Sequence, residues 1–177
     1  MADGVHNVLV NLFSAYGYNL YEGKNRARAD DLVLREKVAD ELANAAAALR
    51  SLRTAYQKRF IPPPSRENPS PPPERLAALR AIGESQQRVS DLESRVRGMT
   101  VPTQDRVWEK FRGEKALLNQ LILHDYNLAA PAVAIRERCQ ALRPAEWGDD
   151  VESSLADLID QVEAAARQRA GLLQGGM

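Results

Sequence analysis

The chain is 177 residues long and carries 24 Lys plus Arg against 24 Asp plus Glu, so its formal charge is zero. That length favours one domain with a real core, and the even balance argues against a general nucleic-acid binder, whose affinity comes from a basic excess that neutralises phosphates. A single cysteine, Cys139, excludes a disulfide framework within the chain and fits a reducing compartment.

Aromatic residues make up only 6% of the chain, and the β-branched and aromatic clusters that mark strands are scarce, so the expected class is all-α. No signal peptide is evident: Asp3 precedes the first apolar stretch and no basic region leads into it. No run reaches the roughly 18–20 apolar residues that span a bilayer. A soluble cytoplasmic protein is the expectation.

Residues 1–21 form the most apolar segment. Val5, Val8, Leu9, Leu12, Phe13 and Tyr16 fall at helical spacing and predict a short N-terminal helix. It has two uses: docking its stripe on the rest of the fold, or binding a partner groove or a membrane surface. The membrane use is the weaker, because no Lys or Arg precedes Lys24 on the polar face. Gly17 and Gly23 then break the pattern.

Residues 30–60 predict one long helix without proline or glycine. Val38, Leu42, Ala45, Leu49, Leu52 and Tyr56 step by 4, 3, 4, 3, 4 and share one stripe. Asp30 is a candidate N-cap. The helix ends in Arg50, Arg53, Lys58 and Arg59 with no acid among them, which suits a C-terminal dipole or an acidic partner.

Residues 61–73 form a linker in which seven of thirteen positions are proline. Proline stops the helix and favours a stiff, extended spacer. Pro69 and Pro72 make a PxxP pair, but no suitably placed arginine supports an SH3-type ligand. Residues 74–99 predict the next helix, led in by Pro73, with Leu79, Ile82, Gln86, Val89, Leu92, Val96 and Met99 on its apolar side. Gln86 is a polar insertion that breaks the heptad once.

Residues 103–142 predict a helix capped by Thr103 and kinked or broken near Pro131. It holds Val107, Trp108, Phe111, Leu118, Leu121, Ile122 and Tyr126 before the proline, and Val133, Ile135, Cys139 and Leu142 after it. Trp147 lies in the turn between Pro144 and Gly148, where it locks the turn on the fold or presents an anchor to a partner. Asp149 and Glu152 have capping-box spacing ahead of Val151, Leu155, Leu158, Val162 and Ala165. The last helix is therefore expected over residues 149–170, and residues 171–177 as a tail. Seven acids and no base lie between Glu146 and Glu163. They complement the basic end of the long helix, within the fold or between subunits.

No reactive constellation stands out. The only histidines are His6 and His124, and neither has a glutamate three residues before it, as bundle di-iron sites require. No Cys-x-x-Cys, His-x-x-x-His, G-x-G-x-x-G or Walker pattern occurs. A Cys139–His124 pair needs the chain to fold back at Pro131, because fifteen helical residues span about 22 Å. Cys139 reads as a buried structural thiol. No cofactor, no metal and no catalytic residue is expected.

The expected architecture is all-α, an antiparallel bundle of about four main helices in two coiled-coil-like hairpins plus the short N-terminal helix. Residues 1–177 are taken as a single helical domain. If the long helix outreaches its partners, a projecting stripe of Leu49, Leu52 and Tyr56 becomes an association surface; otherwise the helix from Thr103 runs through Pro131 and covers it. The expected function is that of a non-enzymatic interaction or assembly protein, binding itself or a larger protein partner through helix faces. Phe13, Tyr16, Leu49, Leu52, Tyr56 and Trp147 are the candidate interaction residues. A peripheral membrane protein using Val5 to Tyr16 is one alternative. A ligand-binding or enzymatic bundle with a site near His124, Tyr126 and Glu114 is the other.

Overall fold

A computed structural model describes residues 27–61, 63–66, 70–99 and 115–175. The expected N-terminal helix, with Phe13 and Tyr16, lies outside them, as do Trp108 and Glu114. The fold is an all-α helical bundle. Among the described residues the helices are α1 (Ala27–Phe60), α2 (Pro73–Arg97), α3 (Lys115–Ala141) and α4 (Asp149–Gly175), with one 3-10 turn at Pro144–Glu146 between the last two.

The helices stand in the order α1, α2, α4, α3 around the bundle, so that α1 and α4 occupy opposite corners. Side-chain pairs set the directions. Arg97 meets Asp40 and Arg75 meets Tyr56, so α2 runs antiparallel to α1. Arg136 of α3 bonds Glu41 of α1, and further along Cys139 and Gln140 border a groove with Ala48 and Leu52, so those two run parallel. Arg88–Asp160 and Arg95–Glu163 align α2 parallel to α4. Each hairpin is antiparallel, and the two hairpins lie side by side.

α1 is 34 residues long, about 50 Å at 1.5 Å per residue. Its seam of Val38, Leu42, Ala45, Leu49, Leu52 and Tyr56 is buried throughout. Because α1 has two neighbours, the lines flanking that seam turn towards α2 on one side and α3 on the other, with Ala39 and Ala46 buried. Ala39, Ala46 and Arg53 are spaced by seven, and Arg53 lies across Gly83 of α2. Glu41, Ala48 and Ala55, also spaced by seven, meet α3. Alanines flanking the seam let the neighbouring helices approach, and the large seam residues fill the centre.

Several sequence expectations are corrected. α1 begins at Ala27 rather than at an Asp30 cap. In α2 the buried line is Ile82, Ser85, Val89, Leu92 and Val96, stepping 3, 4, 3, 4. The heptad is therefore unbroken: Ser85, 8% exposed, holds the seam position and Gln86 sits beside it. Pro73 takes the first helical turn, as expected, and Gly98 is the C-cap.

α3 neither stops nor restarts at Pro131, which lies inside it. Proline withdraws the amide that would bond the Asn127 carbonyl, a cost of roughly 3 kcal/mol in a helix interior. Leu128, Ala132, Ile135 and Cys139 are buried on both sides of it, and burial worth about 1.5–3 kcal/mol per large apolar side chain outweighs that cost. α4 likewise continues through Gly171 to Gly175. Gly171 has no positive φ, so it forms no left-handed stop. Asp149 is the first residue of α4 rather than its cap; the Gly148 carbonyl accepts the amides of Val151 and Glu152. The reciprocal bond forms one turn earlier, where the Arg143 amide donates to the Glu146 carboxylate at 2.9 Å.

Candidate functional site: a charge-divided end of the bundle

The apolar stripe is not a surface. Leu49, Leu52 and Tyr56 are 0%, 4% and 2% exposed. The unbroken α3 and the 3-10 turn cover them, with Leu142 and Trp147 packed against the same core. These three residues hold the fold together and offer a partner nothing. Trp147 is half-buried against the core.

The reactive groups stay apart. Since α3 is continuous, His124 and Cys139 are separated by about 22 Å of helix and form no pair. Burial pushes the Cys139 thiol up to about 12, against a small lowering from Arg138, so it stays protonated and inert. Among the described residues, no three His, Cys, Asp or Glu side chains gather as a metal site. Tyr126 lines an open groove of about 490 Å³ between α3 and α4 with Pro131, Ala134, Leu158, Gln161 and Gln168. His124 is not part of its lining.

One constellation was missed from sequence. Arg169 Nε donates to Asp125 Oδ1 at 2.5 Å, and the two residues are 0% and 2% exposed. Asp125 continues the seam of Leu128, Ala132, Ile135 and Cys139 by one step of three. Arg169 lies two turns beyond Val162 in the seam of Leu155, Ile159 and Val162. A seam extended across charged letters was the signal. This pair cross-links the two helices of the second hairpin inside the core.

The remaining charges divide into two groups. Along the body of the bundle four ion pairs, Arg88–Asp160, Arg95–Glu163, Arg97–Asp40 and Arg136–Glu41, join neighbouring helices. Each exposed pair adds little energy, about 0–1 kcal/mol, but together they fix which helix faces which. The expected meeting of the acidic stretch with the basic end of α1 does not occur within the fold, because α4 takes its cations from α2.

At the end where α1 finishes and α4 starts, the charges are left over. Arg50, Lys58 and Arg59 on α1 are exposed, and among the described residues none has a carboxylate partner. Arg59 instead lies over the Phe60 ring at 5.3 Å. Arg75 stacks on the same ring at 4.6 Å and donates to the Tyr56 hydroxyl at 3.5 Å. These contacts hold cations upright over the last turn of α1. Diagonally across the same end, Asp149, Asp150, Glu152 and Asp157 open α4, again with no cation partner among the described residues. The end thus has a basic corner and an acidic corner that cannot reach each other.

No protein-family model, curated protein or solved structure matches the chain. Among the described residues, no helix is long and apolar enough to cross a membrane.

Proposed function

We propose that this chain is a non-enzymatic interaction or assembly protein that engages another protein through the charged end of its bundle. The observation that carries the reading is the contrast in charge pairing. Arginines along the body have carboxylates at 2.8–3.4 Å on adjacent helices, whereas the cations of α1's last turns and the acids of α4's first turns have none among the described residues. Charges left without ion-pair partners cost little in water and aid the fold only modestly, through the helix dipoles. They gain most from a complementary surface, which they steer and orient.

This reading moves the interaction site from the apolar stripe to the end of the bundle. The stripe is consumed by the core, while that end of the bundle keeps exposed charge that can recognise a partner. Gel filtration or sedimentation of a cell extract tests it. The chain is expected in an assembly larger than its own 19.6 kDa, shrinking as salt is raised past the point where the Debye length falls to about 3 Å. A 19.6 kDa species at every salt concentration would overturn the reading.

A further inference from the structure

We infer that the partner of this charged end is a second copy of the same chain. The inference rests on the reading above and adds the occupant. Residues 50–60 carry Arg50, Arg53, Lys58 and Arg59 and no acid; residues 149–157 carry Asp149, Asp150, Glu152 and Asp157 and no base. The two corners are therefore comparable in size and opposite in sign. They belong to helices on a diagonal of the bundle, so among the described residues neither corner neutralises the other.

Two copies meeting end against end about a twofold axis resolve both corners at once. α1 of each copy faces α4 of the other, with Lys58 and Arg59 opposite Asp149, Asp150 and Glu152, while Arg50 and Asp157, about 15 and 12 Å back along their helices, add longer-range attraction; the contact is isologous, so it closes at a dimer. The other corners do not oppose it. α2 opens with Glu74, Arg75, Arg80 and Glu84, which balance, and α3 closes with Glu137 and Arg138 side by side. Zero formal charge means that no net repulsion resists association of two whole molecules. Arg53 is left out of the contact because it is laid across Gly83.

The test uses two reversed proteins. One carries Arg50→Glu, Lys58→Glu and Arg59→Glu; the other carries Asp149→Lys, Asp150→Lys and Asp157→Lys. All six positions are exposed, and far-ultraviolet circular dichroism checks that both fold. Neutralised sets with glutamine or asparagine at the same positions serve if a reversed protein does not fold. Purified wild type is expected to sediment as a dimer at about 20 mM salt, where screening reaches over about 20 Å. Each reversed protein should need at least about tenfold more protein to dimerise, since like charges then face each other. An equimolar mixture should regain the wild-type dimer, because both contacts of the mixed pair become attractive. A wild-type dimer unmoved by either reversal overturns the inference, and so does a mixture that stays monomeric. A monomeric pure protein that still enters a salt-sensitive assembly in extract sinks the second copy alone; a monomer in both sinks the interaction reading as well.

Discussion

Removing the carboxylate of Asp125 while keeping its shape is the sharpest perturbation of the core. In Asp125→Asn the guanidinium of Arg169 stays buried at 0% exposure but loses its counter-charge at 2.5 Å. Breaking one side of a buried pair costs about 3–5 kcal/mol, because the remaining buried ion keeps its desolvation cost and loses that attraction. For a chain of this length each kcal/mol moves the melting midpoint by about 2–4 °C, so a drop of roughly 6–20 °C is expected. Replacing both partners, as Asp125→Leu with Arg169→Met, removes two desolvated charges and should recover most of the loss. Urea unfolding of the wild type, both single variants and the double variant gives the coupling directly. A loss under about 1 kcal/mol for Asp125→Asn would refute the reasoning, because it would mean that water reaches the pair.

Other variants probe separate parts of the account. Leu49→Ala should lower the unfolding free energy by about 2–5 kcal/mol in urea titration, whereas Leu32→Ala, at an exposed position, should stay within about 0.5 kcal/mol. Gly83→Ala should stabilise the fold by about 0.5–1 kcal/mol: the new Cβ would sit 3.4 Å from the flexible end of Arg53, which can move aside. Cys139 should resist alkylation at pH 8 in the folded protein and react readily in urea. Its folded pKa, about 12, lies above the ordinary 9.0, so its contribution to stability is intact below pH 9 and falls as pH rises towards 12. Cys139→Ala should remove that part of the alkaline slope.

The fold was legible wherever seam positions held apolar letters. Every residue of the α1 stripe chosen for its 4-3 spacing is buried, and the two hairpins follow from it. Legibility failed where a seam position held a polar letter. Ser85 keeps the α2 heptad intact, yet an apolar count passes over it for Gln86. Asp125 and Arg169 are in register with their seams, yet each alone reads as surface, since a buried charge makes sense only beside its partner. Pro131 misled for a related reason: the local rule predicts a break, and tertiary packing on α1 overrides it. The charged end was visible as two runs of like sign. Whether they met inside the molecule depended on the order of helices around the bundle, which no local pattern encodes.

The claim that matters most is that the basic corner serves association and not folding. Measuring both in one protein, the triple reversal at Arg50, Lys58 and Arg59, separates the two. The account predicts a melting temperature within a few degrees of wild type, as for exposed positions generally, together with loss of the larger assembly at low salt. An assembly that persists unchanged in the reversed protein would contradict it.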